Sequence, residues 1–432
     1  MIGAGILLLP FILHKMPQET VGIWNIFQVI TALVLLLDFG FRPTFARNIS
    51  YIFSGVKTLQ RDGVAHTTHD ASVDYSLLKG TLVAMQRFYR WMALVVFGLL
   101  ATIGTVYFWY ILQKYSGDRQ DALTAWLLLI GINCYNLYTM YYDALLTGKG
   151  YVTRIQQLNM ISQIVYIGLA IGLIYAGFGL TAIVASQLVS IIIRRIMAYR
   201  TFFTREMQVC LREAVPQDDK DILKAISPNA IKVGLTYLGA FLITRSAMLV
   251  GSAYLTLEQI ASYGITVQVM DVLSRCSQVL YIAYTPRLAQ CRAENDILQL
   301  RRYYIWCKVT YIGIFLLGGI IWIYLGDWAL QLIGSHTLFL ATPLLVAALV
   351  VGFLESNHAL SAGFIMADNR IPFFIPSLVS GAATFILLWV FLGPCHLGLW
   401  ALIMAPGVAQ LAYQNWKWPS VVINELWGKR WT

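Results

Sequence analysis

Charged residues stand inside long apolar stretches of this sequence, where their types suit the binding of an anion or of a small cation. Arg245 lies in the run LGAFLITRSAMLVGS, and Glu355 lies in VVGFLESNHALSAGF. A charge within an apolar span is costly and usually faces an internal cavity, so each residue indicates a functional site. Two alternatives stay open: Arg245 can extend to a membrane interface, and Glu355 can be a hydrogen-bonded residue of a polar core.

Two cations of the same apolar run are candidates for binding an anion. The planar guanidinium of Arg245 matches phosphate with a rigid fork of N–H donors. Lys232 lies earlier in the run and presents a compact charge on a flexible stem. For Lys232 too, an extension of the ammonium group to the interface is the alternative.

Two carboxylates are candidates for binding a proton or a sodium ion. Glu355 pays a desolvation cost that protonation relieves, since burial disfavours the charged form. Asp271 and Arg275 stand four residues apart in QVMDVLSRCSQ, which places them on one helix face. They either form a structural pair or separate, so that Arg275 meets an anion and Asp271 a proton.

Amide and hydroxyl side chains in two other stretches suit contacts with a polar ligand. Asn25 and Gln28 lie about one helical turn apart. The run GINCYNLYTMYYDALL adds Asn133, Asn136, Asp143 and several tyrosines. Amide, hydroxyl and aromatic groups can together hold a polar ligand. Hydrogen bonds between helices and ordinary interfacial tyrosines are the alternatives.

The composition requires a membrane-spanning helical scaffold to position these residues. The 432 residues are 58% hydrophobic and 12% charged, with a mean hydropathy of +0.66. Soluble domains carry about 25% charged residues. The continuous apolar runs reach the ~20 residues that a spanning helix needs, and they are too long for barrel strands. We therefore predict an all-α polytopic membrane protein.

About twelve transmembrane spans are predicted. The first is short, and we expect a truncated first helix, with a short or re-entrant helix as the alternative. The spans lie near 2–13, 21–47, 85–112, 121–146, 155–176, 179–200, 228–251, 259–285, 303–325, 338–366, 372–392 and 397–416.

Basic residues concentrate in alternate connectors, which predicts the orientation. The positive-inside rule places the even-numbered connectors and both termini in the cytoplasm. The net charge of +10 therefore reports topology, and no nucleic-acid surface is indicated. The connector between the sixth and seventh spans contributes the largest set: Arg194, Arg195, Arg200, Arg205, Arg212, Lys220 and Lys224.

Matching features in the same order indicate two six-helix halves. MQRFYRWMALVVFGLL and LQLRRYYIWCKVTYIGIFLL each open a span with basic and aromatic residues, and each follows a span that ends in proline and arginines. Halves of six helices enter the membrane with the same orientation. We predict an N-terminal bundle over 1–200, a basic cytoplasmic linker over 201–227 and a C-terminal bundle over 228–432.

The stretch LLLDFGFRPTFARNIS predicts a gate at the cytoplasmic end of the second span. Asp38 stands one turn before Arg42, so we expect Asp38 to fix Arg42. Pro43 removes a helical hydrogen bond at the same place and predicts a bend. The alternative is a simple interfacial anchor, which leaves Asp38 unexplained because cytoplasmic boundaries favour basic residues.

The opening LPFILHKMPQETVGIWNIFQVITALVLLLDFGFRPTFARNIS resembles bacterial polysaccharide-transport proteins. These are the O-antigen and lipid-linked oligosaccharide flippases of the multidrug/oligosaccharidyl-lipid/polysaccharide exporter superfamily. Pro17, Glu19 and Gly22, the DFG at Asp38 and the exit LLTGKGY carry the resemblance. It implies two bundles around a central cavity and a polyprenyl-diphosphate-linked glycan as substrate, flipped to the outer leaflet of the bacterial inner membrane by alternating access.

Several further expectations follow from the resemblance and from the motifs. We expect proton or sodium coupling without a cofactor, inner-membrane lipids as surroundings, and a monomer, with association with polysaccharide assembly enzymes left open. A cation-coupled multidrug or small-molecule exporter is the alternative function. A membrane glycosyltransferase or polymerase is a remote one, since the predicted external connectors are short. The six scattered cysteines form no CxxC pair, so no metal site is indicated.

Overall fold

All regular structure in the described part of the chain is helical. A computed structural model describes residues 2–56, 73–293, 296–366 and 372–428. This confirms the predicted all-α class. The first half of the chain contains α1 (Ile2–Lys15), α2 (Gln18–Leu36), α3 (Phe41–Phe53), α4 (Tyr75–Leu99), a π-helical turn (Leu100–Gly104), α5 (Thr105–Gln113), α6 (Arg119–Tyr138), α7 (Tyr141–Gly148), α8 (Val152–Tyr175), α9 (Leu180–Phe202) and α10 (Arg205–Glu213).

The second half continues with longer helices, several of them divided. It contains α11 (Asp219–Thr244), α12 (Ser246–Tyr254), α13 (Leu257–Ser277), α14 (Val279–Ala293), α15 (Ile297–Leu332), α16 (Thr342–Met366), α17 (Phe374–Leu392), α18 (Leu399–Leu411) and α19 (Gln414–Trp427). Each of the twelve predicted spans corresponds to a helix or to consecutive helices in this order.

The chain is a multi-pass membrane protein. Within the described residues, eight helical stretches are long and apolar enough to cross a membrane, or nine if a pair bent by 53° within α11 is one span. Of the remaining predicted spans, the first corresponds to α1, which has 14 residues, and the others are each divided between two helices. Breaks fall at 37–40, 139–140, Arg245 and Gln278.

The chain divides into two compact units. Unit 1 comprises Met1–Lys15 and Phe27–Tyr237, and unit 2 comprises Met16–Ile26 and Leu238–Thr432. The bundle limits of 1–200 and 228–432 stay a prediction. The segment predicted as a linker, 201–227, contains α10 and the beginning of α11.

Unit 1 is organised around α6, which packs against α4 and α9. Trp126 of α6 stacks on Phe108 with ring centroids 4.9 Å apart, and its indole N–H donates to the Thr105 hydroxyl over 3.1 Å. The Asp121 carboxylate of α6 accepts the backbone N–H groups of Leu180 and Thr181 at 2.6 and 3.1 Å. This cap satisfies two free donors at the start of α9 and fixes the position of that helix.

Unit 2 is organised around α16, which packs against α13, α15, α18 and α19. Aromatic residues fill the contact between α15 and α16, where Tyr311 stacks on Phe353 with centroids 5.3 Å apart. A capping box begins α13: Thr256 accepts the Gln259 N–H, and Gln259 accepts the Thr256 N–H. These contacts hold the helices that carry Asp271 and Glu355.

Candidate functional site

Arg245 lies at a break between α11 and α12 in unit 2. Its backbone angles, φ −124° and ψ −21°, are not helical. Hydroxyls on both sides bond back to the preceding turn, Thr244 to the Ala240 carbonyl over 2.9 Å and Ser246 to the Leu242 carbonyl. Such back-bonding commonly bends helices. The break thus places an arginine at a discontinuity within a predicted span.

The Arg245 guanidinium forms an ion pair with Asp271 of α13. Arg245 Nη2 lies 2.6 Å from Asp271 Oδ2, and the side chains are 32% and 42% exposed. Of the two alternatives given for Asp271 and Arg275, the structure has the separated arrangement. Arg275 is exposed in the last turn of α13 and has no ion pair among the described residues. Helical spacing made Arg275 a plausible partner, but a cation from another helix takes the carboxylate.

A cavity of about 260 Å³ lies beside this pair, entirely within unit 2. Its wall includes both Asp271 and Glu355, so two carboxylates share one space. Tyr263, Ser274 and Ser356 add hydroxyl groups, and the Ser356 hydroxyl donates to that of Ser274 over 3.0 Å. Carboxylate and hydroxyl oxygens are ligands for hard cations and acceptors or donors for protons. The two predicted coupling residues are thus brought together.

Glu355 begins a run of four polar residues that reach four different helices. Gln410 of α18 lies next to the Glu355 carboxylate, and Ser356 contacts α13 through Ser274. The Asn357 side chain accepts from Lys308 of α15. His358 Nδ1 lies 2.8 Å from Asn415 Oδ1 of α19. The helical turn that begins at Glu355 therefore contacts α13, α15, α18 and α19.

The other residues predicted in unit 2 contribute less to this cavity. Asn25 is buried, and its amide oxygen accepts from Gln268 Nε2 over 2.7 Å. That contact matches the helix–helix alternative given for Asn25. Lys232 lies on α11, but its side chain is outside the described residues.

The predicted gate in unit 1 is a tight turn that precedes α3. Phe39 and Gly40 have φ angles of +48° and +71°, and the Asp38 carboxylate accepts the Arg42 backbone N–H at 3.1 Å and the Tyr89 hydroxyl at 2.7 Å. Asp38 thus holds Arg42 as expected, but through the Arg42 backbone N–H at the start of α3. Pro43 lies in the first turn of α3, where a missing N–H costs little, so the bend comes from residues 37–40.

Asp143, Arg194 and Arg195 form an ionic cluster in unit 1. Asp143 Oδ1 lies 2.8 Å from Arg194 Nη2, and Oδ2 lies 3.0 Å from Arg195 Nη1. Two amides hold the guanidinium groups: Asn159 accepts from Arg194 Nε at 2.8 Å, and Asn136 accepts from Arg195 Nη2 at 2.7 Å. We name these three ionic residues the Arg–Asp–Arg cluster.

The role of both arginines was not predicted. The assignment of Arg194 and Arg195 to a connector was wrong, because both lie inside α9. The available signal was that both arginines lie several residues before the end of α9 (Leu180–Phe202). Asn136 accepts from the cluster through Arg195, whereas Asn133 is buried and donates to the Leu129 carbonyl of its own helix at 2.9 Å. Gln28 is exposed.

The two ionic groups carry charge of opposite sign. The Arg–Asp–Arg cluster has two guanidinium groups for one carboxylate, an excess of one positive charge. The unit 2 cavity has Asp271 and Glu355 against Arg245, an excess of one negative charge when both acids are ionised. Unit 1 therefore favours an anion, and unit 2 can bind an anion at Arg245 and a cation at its carboxylates.

Comparison with solved structures identifies the fold. A multidrug resistance MATE family transporter of the MOP superfamily, in its inward-facing conformation, aligns over 99% of this chain and 95% of its own, with 14% identity and a TM-score of 0.69. An outward-facing structure of such a transporter aligns over 99% and 92%, with 17% identity and a TM-score of 0.56. The lipid II flippase MurJ aligns over 95% and 85%, with 12% identity and a TM-score of 0.58.

These likenesses show a MATE- and MurJ-like transporter fold over nearly the whole chain. No known family profile and no curated protein matches the sequence. The identities are too low to transfer a substrate, so the function rests on the chemistry of the two ionic groups.

Proposed function

We propose that this protein is a flippase that moves a polyprenyl-diphosphate-linked oligosaccharide to the outer leaflet of the bacterial inner membrane. In this proposal both termini are cytoplasmic, and transport proceeds by alternating access. One observation carries it: Arg245 is partly exposed at a break within a predicted span, beside a cavity. A diphosphate cannot enter hydrocarbon without fixed cationic partners. An arginine that a phosphate can reach meets this need.

The ion pair supplies a mechanism for coupling. A diphosphate that binds Arg245 competes with Asp271 for the same N–H donors. Once Asp271 is displaced, its carboxylate shares the cavity with Glu355 and has lost its counter-charge. Two neighbouring carboxylates disfavour ionisation of both, so the cavity then takes up a proton or a sodium ion. Substrate binding and cation binding thus favour each other, and this coupling is reciprocal.

Surface display of a glycan tests the role of Arg245 in cells. In a strain that depends on this protein, Arg245→Ala should abolish display while the protein still reaches the membrane. Arg302→Gln is the matched control, because Arg302 is an exposed arginine on α15 of the same unit. Normal display with Arg245→Ala at wild-type abundance would refute the assignment.

A cation-coupled multidrug exporter is the second candidate, favoured by the negative excess in the unit 2 cavity. Asp271, Glu355 and the ring of Tyr263 suit an organic cation, which binds carboxylates and aromatic faces. An exporter should lower the accumulation of a cationic dye in cells that lack other pumps, and Glu355→Gln should remove this effect. Dye accumulation that the protein does not change would leave the flippase as the better proposal.

A further inference from the structure

The Arg–Asp–Arg cluster has hydrogen-bonding capacity that the protein does not use. Each guanidinium has five N–H donors, and the described residues accept two hydrogen bonds from Arg194 and one from Arg195. Arg195 is 2% exposed, and neither its Nε nor its Nη1 donates a hydrogen bond to a described residue. Leaving a buried charged donor unsatisfied is costly. The cluster therefore favours a ligand that brings several acceptor oxygens.

The charge around the cluster specifies an anion. Arg42 is close enough to act electrostatically on Asp143 and Arg194, and Asp38 is held near Arg42 by its backbone bond. When Arg42 and Asp38 are included, three cations face two carboxylates, so the net charge of the group stays the same. One positive charge remains, and phosphate is the anion whose geometry fits paired guanidinium groups.

Tyrosines border the cluster on the two helices that carry it. Tyr142 directly precedes Asp143, and Tyr199 follows Arg195 by four residues on the same face of α9. Their rings lie 6.2 Å apart in an edge-to-face arrangement, and Tyr199 is 43% exposed. Aromatic faces and phenolic hydroxyls are typical partners of sugars.

We propose that the Arg–Asp–Arg cluster is a second anion site, which binds a phosphate or diphosphate group attached to a sugar. Arg194 is the accessible arm because its side chain is 14% exposed. The buried Arg195 and its amide partner Asn136 form the support, and Tyr142 and Tyr199 contact the sugar. Asp143 pairs with both arginines and therefore competes with the ligand for them. The proposal rests on the flippase function only in one respect, the identity of the molecule that carries the phosphate.

The test is equilibrium binding of inorganic diphosphate to the purified full chain, in the Arg245→Ala background so that the unit 2 site does not contribute. Arg194→Gln leaves Arg195 and Asp143 as a balanced pair and should weaken binding at least tenfold. Arg200→Gln is the control, since Arg200 is exposed on the same helix. Asp143→Asn should tighten binding, whereas a purely structural role predicts no gain.

The source of the phosphate is tested with two further ligands. A short-chain prenyl-diphosphate-linked disaccharide should bind at least fivefold more tightly than inorganic diphosphate, and this advantage should be lost with Tyr199→Ala. Equal affinity for phosphatidylglycerol micelles would assign the site to ordinary lipid and overturn the sugar-phosphate assignment. Absence of diphosphate binding, or equal affinity of the Arg194→Gln and Arg200→Gln proteins, would overturn the site itself. Since no transport is measured, these outcomes are separate from a failure of the flippase proposal.

Discussion

Replacement of Asp271 by asparagine should tighten the binding of a diphosphate at Arg245. In the wild type, the phosphate must first break a contact of 2.6 Å between Arg245 and Asp271. Two charges about 4 Å apart attract by about 4 kcal/mol at an effective dielectric constant of 20. Both side chains are partly exposed, so screening reduces the pair to about 1–2 kcal/mol. Removing this competition corresponds to about 5- to 30-fold tighter binding.

Isothermal titration of the purified protein with inorganic diphosphate measures this change. The Arg194→Gln background confines the signal to unit 2, and Asp327→Asn, an exposed aspartate on α15, is the matched control. The same Asp271→Asn protein should lose coupled transport, because the cavity then holds one carboxylate instead of two. Diphosphate affinity that is unchanged or weaker in Asp271→Asn would refute the competition on which the coupling mechanism depends.

Three further outcomes follow from single contacts. Glu355→Gln should make both diphosphate affinity and transport independent of the coupling proton or sodium ion; a retained dependence on the ion or its gradient would contradict the assignment. Tyr89→Phe removes the hydroxyl that donates to Asp38 and should cost about 1 kcal/mol of stability, seen as a lower Tm. Gly40→Ala should lower the Tm more, since φ is +71° and a Cβ would lie 2.7 Å from Val233 Cβ. An unchanged Tm of Tyr89→Phe would contradict the hydrogen bond to Asp38, and an unchanged Tm of Gly40→Ala would contradict the close approach of Gly40 to Val233.

The helices were predictable from the sequence because apolar length determines what can cross a membrane. The breaks within the helices were less predictable. Arg245 and Gln278 interrupt helices without glycine or proline at the break, and back-bonding by Thr244 and Ser246 gives only a weak local signal. The amino-acid composition of a run therefore predicts that the run spans the membrane. It does not predict where the backbone departs from helical geometry.

Side-chain partners were predictable only where the contact is local. Asp271 and Arg275 have the spacing of a helical pair, yet Asp271 pairs with Arg245, which is 26 residues away. Arg194 and Arg195 have the appearance of a topology signal, and their burial against Asp143 depends on how α7, α8 and α9 pack. Tertiary packing decides such pairs, so sequence spacing alone offers several equal choices.

Leaflet translocation in proteoliposomes tests the central claim most directly. The purified protein is reconstituted with a fluorescent prenyl-diphosphate-linked oligosaccharide in one leaflet and, in parallel vesicles, with a cationic dye inside. A flippase should move the glycolipid to the other leaflet at a rate that a proton or sodium gradient changes and that Arg245→Ala abolishes, and it should leave the dye in place. Gradient-driven movement of the dye without movement of the glycolipid would contradict the account.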